Sequence, residues 1–452
     1  MTLLNVLLVT YSFPPVGGVG VLRAASLARY LPAEGIRLDV LTTRNPSAVG
    51  ADSTLLQEIP SEVKIHRTIT FDLPFGLKKA IKKLISGGHK PPTQDASKAT
   101  LGRPHLLKRI LQDALLPDPQ VTWLPVLFPA ARRIVRERKI DLVLITVPPF
   151  SSVLLVEKLR KEYPYLPIVV DFRDEWLSTT IDLVSFSRSE RARRTAQDAE
   201  ARAVANAAAV VAVTEAARVE IRSRYPLEPE TKFQLVPNGY DATRLKAAVS
   251  SRVSNSRDKV VITYLGSIYG STEPSSLVAA LQSLPDEAKS RLRIRFIGHI
   301  EEPRFRDSLL GLGEMVELKG FVPQSKALAA MQETDYTLLV THDRLNVSAK
   351  FYDYIGAGKP ILATVHPEGA VRRLLEETRA GWWADSRDVS AIRALFLEAA
   401  TQENPLLGKF NPDCEEIAQF ERKVLAQRYA SLLYSIARKA QAQDDQLARE
   451  EI

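Results

Sequence analysis

Two stretches of this 452-residue chain gather side chains that could do chemistry. The first is Asn346–Ala363, NVSAKFYDYIGAGKPILA, in which Lys350 and Asp353 precede a Gly-Ala-Gly-Lys-Pro turn. The pattern is a short helix, a glycine-punctuated turn and a buried strand. A helix N-terminus offers unpaired N–H groups and a partial positive charge, where phosphates settle. Lys350 adds a full charge there, and Asp353 could accept two hydroxyl hydrogen bonds, as a ribose requires. A plain helix with a glycine C-cap and two surface charges accounts for the same residues. The second stretch is PIVVDFRDEW from Pro167, where an apolar strand runs into Asp171, Arg173, Asp174, Glu175 and Trp176. Charges at the carboxyl end of a parallel strand are expensive in a core and sensible in a cleft. Asp174 is the carboxylate placed to orient or deprotonate a hydroxyl, and a structural Arg173–Asp174 pair is the alternative. Near the start, YSFPPVGGVG carries Gly17, Gly18 and Gly20, which free the backbone for a tight turn ahead of a helix. That unit suits an anion, although the glycines lack the GxGxxG spacing. Arg23, just inside the helix, could reach a phosphate or stand in solvent.

The elements that must position these groups alternate between short apolar runs and helical patterns, as parallel sheets covered by helices do. Strands are predicted near Val6–Thr10, Leu38–Thr42, Val63–Arg67, Leu142–Thr146, Ile168–Phe172, Val210–Val213 and Phe233–Pro237. A second set falls near Val260–Leu265, Ile294–Ile297, Val316–Leu318, Tyr336–Val340 and Ile361–Ala363. The polar stretch Lys246–Lys259 reads as the linker. The expectation is α/β: two doubly wound domains, residues 1–245 and 246–420, with the site in the cleft outside the carboxyl ends of their strands. A long helical pattern over Glu415–Ala440 follows, and the polar end QAQDDQLAREEI is expected to fray.

At 45% hydrophobic, the chain can bury two cores. Its one cysteine, Cys414, excludes an internal disulfide and fits a reducing compartment. No apolar run reaches the ~18 residues of a spanning helix, and the opening TLLNVLLVT reads as a core strand rather than a signal peptide. A soluble, cytoplasmic protein is expected. Between Gly76 and Ile110 stand nine Lys or Arg and one acid, Asp95, a surplus equal to the whole chain's +8. Nucleic-acid binding would spread charge along a groove interleaved with aromatics, so no nucleic-acid partner is expected. Instead LPFGLKKAIKKLI, residues 73–85, puts Leu77, Ile81, Leu84 and Ile85 on one helical face and four lysines opposite. That pattern suits an anionic bilayer, or an ordinary surface helix. Trp123 and Phe128 are expected toward the cleft. The histidines His66, His89 and His105 look incidental, and no His/Cys/Asp cluster has metal-ligand spacing.

Residues Asn346–Pro360 resemble the donor-site motif of retaining glycosyltransferases of the GT-B fold, specifically family four. The family's second carboxylate falls on Asp353 and its small-residue turn on Gly356–Pro360, while its first carboxylate falls on Asn346, not an acid. VVAVTEAARVEI and the Pro237-Asn238-Gly239-x-Asp241 turn are similar to family motifs as well. The resemblance implies two Rossmann-like domains facing each other across a cleft, with a C-terminal helix, residues 421–452, crossing back to the first. It implies that Gly17 and Gly18 approach the donor pyrophosphate and the acceptor. Arg173 falls near a position where many members carry histidine. Where members show Gly-Arg and then Lys, this chain has Ser267 and Glu273, which leaves the phosphate charge to Lys350 and the helix N–H groups. The loop matching Gly320–Pro323, with Phe321 and Val322, is expected at the nucleotide base.

The expected function is therefore transfer of a sugar from a nucleotide-sugar donor to a lipid-linked or saccharide acceptor. It is expected to be retaining, without metal or cofactor, in cell-envelope polysaccharide assembly, with Asp174, Arg173 and Lys350 at the reaction. The donor contacts would be Gly17, Gly18, Ser267, Phe321, Val322, Lys350, Asp353 and Gly356. Two other readings share the fold. One is a nucleotide-sugar 2-epimerase, which would want more acid/base groups; the other is a non-catalytic transferase-like scaffold, to which Asn346, Ser267 and Glu273 point.

Overall fold

The computed structural model describes residues 3–46, 52–70, 115–178, 190–247, 259–322, 324–401 and 403–450. The basic segment 73–85, most of the basic insertion expected at 72–120 and most of the linker 246–259 lie outside the described residues.

Uninterrupted β-branched and leucine runs make strands buried on both faces, which only helix-covered parallel sheets accommodate. The first sheet holds β1 (Leu4–Val9), β2 (Ile36–Thr43), β3 (Lys64–Thr68), β4 (Leu142–Val147), β5 (Ile168–Phe172), β6 (Ala209–Ala212) and β7 (Phe233–Leu235). Their order is β3-β2-β1-β4-β5-β6-β7, all parallel. The second holds β8 (Val260–Leu265), β9 (Leu292–Ile297), β10 (Val316–Gly320), β11 (Tyr336–Val340), β12 (Ile361–Val365) and β13 (Gly381–Asp385), ordered β10-β9-β8-β11-β12-β13. Each sheet buries a cluster of apolar side chains on either face. Strand order reverses between β1 and β4, and again between β8 and β11. Those two switch points open the crevices where ligands bind such sheets.

Five helices matter to the site: α1 (Val19–Tyr30), α2 (Glu190–Asn206), α3 (Glu215–Arg224), α4 (Ala349–Gly356) and α5 (Arg422–Glu450). The terminal helix returns to the first sheet. Leu425, Ala426, Tyr429, Ala430 and Leu433 enter the same core as Ala24, Leu27 and Ala28 of α1, and the Tyr434 hydroxyl donates to the Gly35 carbonyl at 2.8 Å. The polar end expected to fray stays helical to Glu450, while the helical pattern expected from Glu415 breaks at residues 419–421. Trp123 is a second correction. It is 1% exposed, packed edge-on to Tyr11, with its indole N–H donating to Thr68 Oγ1 at 2.8 Å. An indole that finds a polar partner inside a core has no need of the cleft.

The turn Pro237–Asp241 shows what its residue types do. The Pro237 carbonyl and Asn238 Oδ1 accept from Arg23 at 2.8 and 3.3 Å. Gly239 lies so close to the terminal segment that a Cβ would sit 2.0 Å from the Phe420 carbonyl oxygen. Tyr240 pairs with that segment through Tyr240 N–H to Phe420 O (3.1 Å) and Arg422 N–H to Tyr240 O (2.9 Å). Asp241 accepts from Thr243 and Arg244 N–H and forms an ion pair with Arg29 at 3.0 Å. The crossing between domains is thus a short two-stranded strap.

Candidate active site

In the second domain, α4 is held by Phe351, Tyr352, Tyr354 and Ile355, all buried. The Tyr354 hydroxyl accepts from Leu265 N–H at 2.9 Å, which ties the helix to the end of β8. Ser348 makes no side-chain cap, so the first N–H groups of α4 are not taken by a capping side chain. Lys350 extends over the end of β8. Its ammonium donates to the Tyr264 hydroxyl at 2.7 Å and lies 4.0 Å from that ring's centre. The Tyr264 hydroxyl in turn donates a hydrogen bond to the Ser267 carbonyl at 3.0 Å. A Cβ at Gly266 would come within 3.4 Å of the lysine tip, at a backbone φ of +103° that favours glycine. Burial lowers the Lys350 pKa to about 7, because no carboxylate among the described residues pairs with it to offset the lost hydration.

Asp353 sits one turn along the helix in different surroundings. Its carboxylate accepts no hydrogen bond among the described residues. Burial raises its pKa to about 6, against the nearby cations Arg422 and Arg244 and with a small upward push from Asp241. Gly356 does not open on the cleft: a Cβ there would meet the Tyr240 ring at 2.3 Å and Leu245 at 2.8 Å. Its smallness seats α4 against the strap. Ser267 is exposed on the loop after β8, Phe321 is 85% exposed at the end of β10, and Val322 is half-buried. His342, after β11, donates from Nε2 to the Glu273 carbonyl (3.1 Å) and shares a hydrogen bond between Nδ1 and Ser386 Oγ (2.9 Å), so it joins the loop holding Ser267 to the end of β13.

In the first domain, the four charges at the end of β5 divide. Asp171 is buried and takes a two-pronged bond from Arg23, at 2.9 and 2.8 Å. Arg23 also donates to the Val236 carbonyl at 2.8 Å, so it is a structural strut rather than a phosphate reader. Glu175 is buried and accepts from Arg224 at 2.7 Å and from Leu177 and Ser178 N–H. Arg224 is shared with buried Glu200 on α2. Arg173 and Asp174 form no direct ion pair. The Arg173 guanidinium is bound by backbone carbonyls of Val147, Pro148 and Gly20, which clamps the glycine loop to the ends of β4 and β5. Asp174 is half-buried and accepts no hydrogen bond among the described residues. Its pKa is raised by burial, opposed by Arg173 and reinforced by Asp343 from the facing domain. Beside it Trp176 stacks on Phe150, 4.6 Å between centres and nearly parallel. In the glycine loop Gly18 takes φ +99° and Val19 is 70% exposed.

Asp343 escaped the sequence reading, although it obeys the rule that drew attention to Asp174, a charge just past the end of a parallel strand. Its carboxylate accepts from Leu345 and Asn346 N–H at 2.8 and 3.0 Å. Asn346 is 8% exposed and bonds to both Asp343 and the Glu175 backbone. Among the described residues no group of three or more His, Cys, Asp or Glu could hold a metal, and no helix is long and apolar enough to cross a membrane.

Two facing doubly wound sheets, a strap between them and a terminal helix crossing back are the architecture of the GT-B fold. The family model for Glycosyltransferase Family 4 matches residues 16–244, just over half of the chain, and the protein belongs to that family. A comparison with curated proteins finds no match. Among solved structures, HepE (Alr3699) of Anabaena in complex with UDP and glucose is similar at a TM-score of 0.62 and 15% identity, covering 96% of this chain and 100% of that one. Sucrose-phosphate synthase from Thermosynechococcus elongatus gives 0.62 and 15%, over 96% and 99%. WaaG, a glycosyltransferase involved in lipopolysaccharide biosynthesis, gives 0.53 and 17%, over 96% and 98%.

Proposed function

We propose that this glycosyltransferase takes a sugar from a nucleotide diphosphate sugar and passes it, with retention at the anomeric carbon, to a saccharide or lipid-linked acceptor of cell-envelope polysaccharide synthesis. The observation that carries the reading is Lys350 over Gly266 beside an uncapped helix N-terminus, with the unbonded Asp353 one turn on. A diphosphate placed there receives the lysine charge and the helix N–H groups, and Asp353 receives the ribose hydroxyls. Ser267 and the glycine loop at Gly17 and Gly18 border the diphosphate, and backbone at Phe321 and Val322 meets the base. Positive charge at the leaving phosphate then supplies most of the catalysis, with no metal given a part. Asp174 orients the acceptor hydroxyl, while Arg173 holds the glycine loop in place. HepE in complex with UDP-glucose supports the donor class, and WaaG supports the envelope setting. The basic pattern at 73–85 suggests a protein at the cytoplasmic face of a membrane, where lipid-linked acceptors lie.

The test is a panel of nucleotide sugars screened for thermal stabilisation, followed by assays of the hits for hydrolysis and transfer. One nucleotide sugar should raise the melting temperature and be slowly hydrolysed to the nucleoside diphosphate. If none binds, the scaffold reading replaces this one; if a bound sugar returns epimerised at C2, the epimerase does.

A further inference from the structure

We infer that Asn346 is a positioning residue whose side-chain amide fixes the acceptor loop Arg173–Ser178 against the donor domain, and with it the carboxylate of Asp174. The inference rests on the transferase reading above for its catalytic consequence but not for its geometry. The amide works at both ends. Its Nδ2 donates to Asp343 Oδ2 at 3.0 Å, and its Oδ1 accepts from the Glu175 backbone N–H at 3.2 Å, across the gap between domains.

Each partner is already rigid. Asp343 closes its own loop through Leu345 and Asn346 N–H. Glu175 closes the other through Leu177 and Ser178 N–H and is tethered to Arg224. Two further contacts flank the amide: the Thr214 hydroxyl donates to the Leu345 carbonyl at 2.5 Å, and Arg344 meets Glu220 at 3.2 Å.

The chemistry also explains the residue type. The position needs one donor and one acceptor within a buried contact, and a side-chain amide presents both at fixed positions on one planar group. A carboxylate could not donate to Asp343 and would repel it at close range. An asparagine where the family places an acid is therefore a different job, not a degraded one. Asp174 immediately precedes Glu175, so the bond that registers Glu175 also sets where Asp174 stands relative to α4, which begins three residues after Asn346.

The test uses the full chain with Cys414→Ser and spin labels on Leu227→Cys, 99% exposed in the first domain, and Leu310→Cys, 49% exposed in the second. Interdomain distances are measured without ligand for Asn346, Asn346→Ala and Asn346→Asp. Both variants should broaden the distribution, Asn346→Asp at least as much as Asn346→Ala. They should also lower the ratio of transfer to donor hydrolysis while leaving nucleotide-sugar affinity within about twofold. An unchanged distance distribution overturns the inference, as does a broadened one with the transfer-to-hydrolysis ratio intact, which would leave Asn346 a mere structural contact. The distance measurement needs no substrate, so failure of the transferase reading would not be mistaken for failure of the latch.

Discussion

Asp353 and Asp174 are two half-buried carboxylates without a hydrogen-bond partner among the described residues, and each costs the unliganded protein something. For Asp353 the sign is definite. Its folded pKa, about 6, lies above the ordinary 3.8, so between those values the native state holds the extra proton and stability falls as pH rises through the window. Asp353→Asn should therefore raise the melting temperature at pH ~8 and leave it unchanged below pH ~4. The same change should weaken nucleotide-sugar binding by about 1.5–3 kcal/mol, the scale of a hydrogen bond to a charged group. Calorimetry and thermal melts check both, and unchanged affinity would remove Asp353 from the donor site. Asp174→Ala should lower transfer far more than donor hydrolysis or donor binding. Equal loss of all three together with the melting temperature would mean a purely structural carboxylate.

At the scale of elements, α5 binds the ends of the chain together, and its cost of removal is calculable. Leu433 is fully buried between α5 and the first sheet, so Leu433→Ala should cost ~2–5 kcal/mol. Denaturant unfolding should show that loss in a transition of the first domain, with nucleotide-sugar affinity kept. An unchanged midpoint would mean that α5 only lies on the surface. Much of this architecture was legible in the sequence, because runs such as Leu142–Val147 and Ile361–Val365 are apolar throughout and mean one thing in an α/β chain. Strand β13 was not, since Gly-Trp-Trp-Ala-Asp has neither alternation nor a long apolar run, and its place is set by pairing with β12. The helix that carries Lys350 and Asp353 was visible from local spacing, and the structure places it at Ala349–Gly356. The acceptor loop was visible only as a cluster of charges. Which of them are sequestered depends on Arg23 and Arg224, 148 and 49 residues away from their partners Asp171 and Glu175, and no local pattern reports that. The Asn346–Glu175 contact, between residues 171 apart, was hidden for the same reason.

At the scale of the whole molecule, the sequence also carries the basic segment 73–85, whose attachment to an anionic membrane is open to a direct test. Leu77, Ile81, Leu84 and Ile85 could each contribute up to ~1.5–3 kcal/mol on full burial, and the four lysines opposite about 1 kcal/mol each near an anionic surface. Wild-type protein should therefore sediment with anionic liposomes at low salt and be released at high salt, and replacing Lys78, Lys79, Lys82 and Lys83 by Gln should abolish sedimentation. Protein that stays in the supernatant at low salt rules out this attachment. The claim on which the rest depends is that the donor diphosphate meets Lys350. With a free-protein pKa of about 7, Lys350 must take up a proton on binding an anion at higher pH. The diphosphate of a nucleotide sugar does not itself titrate in this range. Its affinity, measured by calorimetry from pH ~6 to ~8.5, should rise as Asp353 ionises around 6 and then fall by up to about tenfold per unit above 7. In Lys350→Met the affinity should be weak, and the fall above 7 should be gone. Parallel curves for the two proteins would contradict the assignment.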